Sequence, residues 1–250
     1  MKARFILSPI VLLVALSILL SSCTEALNKV ATAALNNTFQ FEREDTVTWG
    51  KIIEEDIELP AFSTIEAEGV IYVVFSQDST CSVRVRANEK CLEAYKFEVR
   101  NDELNVKLKQ GTNNLGKKTP GIILYVTAPA LTSVEFSGGG KVKMEGQVDM
   151  QGKMNVELNG ACSFIVDSLS LVALNLETNG ASSCTFGKVT TKGDIEIEVN
   201  GAGDFDANVF CQELRLELNG TNKGAFTGEC KKLICEENGA SKVDFSKLKK

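Results

Sequence analysis

Five Asn-Gly pairs recur along the second half of the chain, at Asn159-Gly160, Asn179-Gly180, Asn200-Gly201, Asn219-Gly220 and Asn238-Gly239, spaced by 20, 21, 19 and 19 residues. Ser137-Gly138 stands 22 residues before the first pair and takes the same place in Val134-Glu135-Phe136-Ser137-Gly138. A period near 20 residues restricts a chain to repeat architectures, in which each unit buries its apolar face only against its neighbours. The residues five, three and one positions before each pair are mostly apolar: Met154, Val156, Leu158; Leu174, Leu176, Thr178; Ile195, Ile197, Val199; Leu214, Leu216, Leu218. This period of two marks a strand with one buried face. Apolar residues return five or seven positions after the pair, at Val142, Phe164, Phe186, Phe205, Phe226 and Phe245, and a weaker cluster follows, as at Leu169 and Leu171.

Three short strands in about 20 residues make one coil of a solenoid. Because equivalent positions recur in residue type, stacking of like on like is favoured. The predicted fold is all-β, a right-handed parallel β-helix with coils of about 20 residues and a less regular N-terminal β portion. In such a stack Ser137, Asn159, Asn179, Asn200, Asn219 and Asn238 form a turn ladder. Their side chains can hydrogen-bond along the axis, while the following glycine supplies the positive φ of a sharp bend. The competing reading is five independent hairpins, each closed by its own Asn-Gly turn.

Residues 62–136 keep the alternation without the period. Ile65 to Phe75 and Cys81 to Val85 read as strands, followed by a helical turn near Leu92 to Tyr95. Phe97 to Leu108 reads as a hairpin around Asn101-Asp102, and Ile122 to Val126 as a further strand after a polar loop. This portion is expected to begin and cap the solenoid, since terminal units need atypical faces.

The first 22 residues have a basic start (Lys2, Arg4), an apolar run from Phe5 to Leu20 and small residues before Cys23. That is a secretory signal, too short to span a bilayer comfortably. Leu20-Ser21-Ser22-Cys23 resembles the lipobox of bacterial lipoproteins, which implies lipidation of Cys23 and anchorage to a membrane. The organisation expected is a signal peptide over 1–22 and a lipidated tether over 23–45. A single domain over 46–250 follows, irregular over 46–130 and regular over 131–250. Thr24 to Thr38 in the tether has the spacing of a short helix.

Charge and composition remove whole classes of function. The chain has 27 Lys plus Arg against 33 Asp plus Glu and no histidine. Removal of Lys2 and Arg4 with the signal leaves 25 − 33 = −8. An acidic protein lacks the basic stripe that displaces counterions from nucleic acid. Without histidine the commonest general base, metal nitrogen ligand and triad member are missing.

Phe62-Ser63-Thr64-Ile65, then Gly69-Val70-Ile71-Tyr72-Val73, the Val83 to Val85 strand, the Phe97 to Leu108 hairpin and the Asn-Gly coils together resemble the putative autotransporter adhesin, head GIN domain family. The resemblance covers about residues 60–245, and Val70-Ile71-Tyr72 departs from the Gly-Ile-Asn of the family. It implies a β-helix-like fold, an exported and often lipid-anchored protein of Gram-negative bacteria, and an adhesin role with no defined substrate.

A glutamate precedes every turn by two residues: Glu135, Glu157, Glu177, Glu198, Glu217 and Glu236. Stacked at about 5 Å, neighbouring charges repel by about 0.8 kcal/mol in water and about 3 at an effective dielectric of 20. The ladder therefore needs splaying, lysines or a cation. It is the candidate face for a ligand or for Ca²⁺, which favours clustered carboxylate oxygens; the plainer reading is a solvated face helped by Arg215, Lys231 and Lys232. Asp204 and Asp206 around Phe205, with Asp244 beside Phe245, are the candidate acid pair of a carbohydrate-active enzyme, and the plainer reading is ordinary alternation around a buried ring. Seven cysteines remain beside Cys23, with no Cys-x-x-Cys to suggest zinc. They read as buried thiols, Cys81 and Cys91 being the best disulfide candidates.

The expectation is a non-enzymatic lipoprotein of the outer membrane, on its periplasmic or cell-surface side, needing no cofactor. It would bind a glycan or a protein, with adhesion as the concrete role. The alternatives are a carbohydrate-active β-helix enzyme and a structural envelope protein.

Overall fold

The computed structural model describes residues 46–110 and 120–250. The signal segment, Cys23, the tether with its short helix, and residues 111–119 of the polar loop lie outside the described residues. The described chain runs α1 (Thr46–Trp49), β1 (Ile52–Asp56), β2 (Thr64–Gln77), β3 (Ser82–Asn88), α2 (Glu89–Glu93), β4 (Tyr95–Arg100), β5 (Glu103–Leu108), β6 (Ile122–Ala128), β7 (Ser133–Asp149), β8 (Lys153–Leu171), β9 (Ala173–Thr191) and β10 (Ile195–Lys249). The fold is all-β, one large and mostly parallel sheet that is not closed on itself. Among the described residues no helix is long and apolar enough to cross a membrane.

The Asn-Gly units stack in parallel with like on like: Asn159 faces Asn179 and Gly160 faces Gly180 between β8 and β9, and Asn179 faces Asn200 between β9 and β10. Parallel pairing excludes the hairpin reading, in which each pair would close its own antiparallel turn. β10 contains three units, and Asn219 bonds Asn200 while Asn238 bonds Asn219, so this 55-residue run lies back upon itself. The period predicted three short strands per unit. Instead the ladder runs unbroken through the bend in strands of 19 residues, as in β8 and β9. Glycine explains the difference. Gly160, Gly180 and Gly201 sit at φ of 120°, 126° and 141°, turning the backbone while still pairing above and below, and a Cβ added at Gly180 would overlap the Gly160 carbonyl oxygen.

The in-register stack begins before the Asn-Gly motif. β2 pairs with β7 from Thr64↔Ser133 to Phe75↔Met144, which places Gly69 opposite Gly138. On its other edge β2 splits, pairing with β5 before Gly69 and with β6 after it. The hairpin β4–β5 turns at Asn101 and Asp102, both at positive φ (51° and 66°), as a two-residue turn requires. β6, β3 and β1 then pair antiparallel and close this end. The inward residues of the units are buried up to Phe226, whereas Leu233, Cys235, Val243 and Phe245 of the last unit are half-buried, and Phe205, Phe226 and Phe245 stack at ring separations of 6.0 and 5.7 Å.

Candidate functional site

Alternation sends every second residue outward, so stacking converts the repeat into columns. The column just before the glycine bend is the turn ladder. Asn179 Nδ2 donates to Asn159 Oδ1 at 2.9 Å, Asn200 to Asn179 at 3.1 Å, Asn219 to Asn200 at 2.9 Å and Asn238 to Asn219 at 3.0 Å. All four bonds point the same way along the stack. The second amide proton is used as well: Asn159, Asn179, Asn200 and Asn219 each donate to the glutamate two residues earlier, Glu157, Glu177, Glu198 and Glu217, at 2.8 to 3.0 Å. Ser137 occupies the same column, opposite Asn159.

The glutamates form the next column outward. Glu135, Glu157, Glu177 and Glu198 face one another across successive strands, and Glu66 of β2 begins the column opposite Glu135. Alternation around Ile65 and Ala67 was the sequence signal for Glu66, but without an Asn two residues later it did not stand out. Glu66 is held by Lys107 at 2.6 Å. The Asn amides, rather than basic side chains, satisfy Glu157 to Glu217. Arg215 reaches Glu213 at 2.6 Å and Glu196 at 3.8 Å, and Lys232 reaches Glu213 at 2.7 Å, so both serve neighbouring columns. Glu236 lies exposed in the last unit. Glu135 has a carboxyl held above its ordinary range, first by partial burial and then by repulsion from Glu157, Glu66 and Glu103.

Outside the glutamates runs a third column, Ser133, Asn155, Asn175 and Glu196, in which Asn175 donates to Asn155 at 3.2 Å. The two outer columns border a shallow recess of about 430 Å³ lined by Glu135, Glu157, Glu177, Glu198, Asn155 and Asn175 among others. Its carboxylates lie in a line, and among the described residues no three acidic or cysteine groups converge closely enough to hold a metal ion. The wall offers a regular row of acceptors with amide donors behind it, suited to contacting an extended partner.

The other candidates are placed as follows. Asp204 and Asp206 flank buried Phe205, and Asp204 is paired with Lys223 at 3.0 Å. Asp244 accepts the backbone N–H of Ser246 at 2.8 Å, which holds its carboxyl below the ordinary range. The seven described cysteines are free thiols. Cys81 donates to the Phe62 carbonyl and Cys91 is buried in the core, so the two are not joined. Burial pushes the Cys91 thiol up to about 11 and those of Cys162 and Cys211 up to about 12. Beyond the glycine bend a different wall carries Tyr125, an exposed aromatic that the sequence reading did not single out.

Comparison with known proteins places these features in a family. Residues 61–192 and 174–250 match the family described as putative auto-transporter adhesin, head GIN domain. No curated protein matches the chain. A solved structure of a putative adhesin from Bacteroides fragilis NCTC 9343 is similar, with a TM-score of 0.63 at 17% identity, over 78% of this chain and 96% of that one. A putative adhesin from Parabacteroides distasonis ATCC 8503 gives 0.47 at 16% identity over the same shares, 78% and 96%. At 17% identity the likeness to the Bacteroides fragilis structure shows the fold alone.

Proposed function

Because this chain belongs to the putative auto-transporter adhesin, head GIN domain family, we propose that it is a non-enzymatic adhesin-type binding protein of the cell envelope. The family match carries this reading. On the same reading Cys23 is lipidated after removal of residues 1–22, and the lipid holds the domain to the outer membrane. Its elongated walls then meet a glycan or protein partner at the cell surface. The finer form of the fold is a right-handed parallel β-helix. Only Val172 separates β8 from β9, yet the two run parallel in register. So short a connection supports a path in which each unit winds around to its own start. The right hand is the one taken by about 98% of parallel crossovers.

The geometry also favours binding over turnover. The stacked carboxylates are tied to Asn amides, and Asp204 is tied to Lys223, an arrangement that fixes acceptors rather than freeing an acid–base pair.

Two measurements on intact cells test the proposal. Protease shaving should remove the protein while a periplasmic control survives, and cells lacking the chain should adhere less to glycoprotein-coated surfaces. Protection until the outer membrane is permeabilised, or unchanged adherence, would overturn it. Cys23→Ser should release the protein from the membrane fraction.

A further inference from the structure

The wall beyond the glycine bend is continuous across the end of the stack. Asp56 of β1 pairs with Arg84 of β3, Arg84 with Tyr125 of β6, and Tyr125 with Val74 of β2. Among the described residues Tyr125 is the large hydrophobic residue left exposed, at 41%. It stands beside a recess of about 430 Å³ whose remaining walls are Glu54, Asp56, Ser82, Arg84 and Thr127, a volume within the range of ligand sites.

The polar groups around the ring are paired with one another. Arg84 grips Asp56 with two nitrogens, at 2.7 and 3.3 Å, leaving three guanidinium N–H groups and the outer carboxylate lone pairs for other partners. The Ser82 and Thr127 hydroxyls lie 2.8 Å apart, and Thr127 is anchored on the Thr80 carbonyl at 2.9 Å. Glu54 is paired with Arg86 at 2.5 Å. The charges of Glu54, Asp56, Arg84 and Arg86 therefore sum to zero.

Those properties select a class of ligand. An aromatic face attracts polarised C–H groups through its negative quadrupole. A pyranose offers such a face together with a rim of hydroxyls, each both donor and acceptor. A mixed rim of guanidinium, carboxylate and hydroxyls matches that pattern. A charged ligand would meet both signs of charge at this wall, and an apolar segment would strand the Arg84–Asp56 pair without water. We propose that this wall binds a neutral hexopyranose unit of a glycan, stacked on Tyr125 and hydrogen-bonded by Asp56, Arg84, Ser82 and Thr127. The proposal rests on the binding-protein reading and gives it a ligand class and a face, on the other side of the glycine bend from the glutamate column.

The test uses the full chain in detergent on immobilised neutral hexose polymers, with uronate and sulfated polymers alongside. Expected is binding to at least one neutral polymer, weakened at least tenfold by Tyr125→Ala, held within twofold by Tyr125→Phe and unchanged by Lys247→Ala at an exposed position of the last unit. In the unaltered protein, that polymer should protect Tyr125 from nitration by tetranitromethane, a readout independent of how the variant folds. Binding to acidic polymers alone, to no polymer, or equally by Tyr125→Ala would overturn the proposal. Cells carrying Tyr125→Ala that adhere like the parent would overturn this face and leave the adhesin reading intact. Cells lacking the chain that adhere like the parent would overturn the adhesin reading, while the array still decides this one.

Discussion

Replacing Asn200 by alanine removes three hydrogen bonds at once. Asn200 donates to Asn179 at 3.1 Å and to Glu198 at 2.9 Å, and accepts from Asn219 at 2.9 Å. A net hydrogen bond contributes about 0.5–1.5 kcal/mol, and more to a charged partner. The ladder is half-buried at this point, so water recovers part of the loss and about 2 kcal/mol of destabilisation is expected. For a domain of this size that corresponds to a fall in Tm of roughly 4–8 °C. Asn238→Ala, at the exposed end with a single ladder bond at 3.0 Å to Asn219, should cost no more than about 1 kcal/mol. Asn200→Asp sharpens the test, since a carboxylate can still accept from Asn219 but cannot donate. It would also stand about 3 Å from Glu198, where two charges repel by roughly 1.4 kcal/mol in water and 5.5 at an effective dielectric of 20. At pH 7 it should therefore be worse than alanine. Repulsion raises the folded-state pKa of the pair, so this deficit must shrink as pH falls from 7 towards 5. Urea unfolding of the three variants reads all of this. Equal costs at positions 200 and 238, or an Asp variant no worse than Ala, would refute the account of the ladder as a continuous bonded chain.

Three further outcomes are expected. Gly180→Ala would place its Cβ against the Gly160 carbonyl at a φ of 126°, and should cost about 3 kcal/mol or more in unfolding free energy, far above an exposed Thr185→Ala control. Glu135→Gln should raise Tm slightly at pH 7 and by nothing at pH 4; the Glu135 pKa is raised on folding, so its penalty applies above the ordinary carboxylate range and disappears as pH falls through it. A thiol reagent at pH 8 should react promptly in the folded protein with the half-buried Cys81 and Cys235, and with buried Cys91, Cys162, Cys184, Cys211 and Cys230 only after denaturation.

What could be read from the sequence followed from repetition. The asparagine and glutamate columns were legible because each unit puts the same residue in the same environment, so one physical argument applies at Asn159, Asn179, Asn200, Asn219 and Asn238. Parallel stacking followed from the same fact. The continuity of the strands was not legible, because a glycine at positive φ reads as a break until its neighbours are known. The places of Gly69 and Glu66 in the stacked columns were not legible for a related reason: they share the register of β7 but not its motif. The wall around Tyr125 is built from pairings of β1, β3, β6 and β2, distant in sequence and without a shared period. Only the cross-strand neighbours reveal that Asp56, Arg84 and Tyr125 lie side by side.

The register also records where the chain tolerates a change of length. From Ser133 to Met144 each residue of β7 lies 22 before its partner in β8, while across Gln147 to Asp149 the offset is 21. Between β9 and β10 the offset is 21 up to Phe186↔Ala207 and 20 from Val189↔Val209 onward. Single residues are thus gained or lost after the inward Met144, Val166 and Phe186 positions, or at the corners near 150–152 and 192–194. None is gained between the Glu-x-Asn-Gly motif and those positions. An inserted loop at the tolerant corners shifts no bonded column, whereas one residue added on the ladder side would turn every following side chain to the opposite face. New surface loops can accumulate at one edge of such a protein during its evolution, while the amide rail beside them keeps a fixed length.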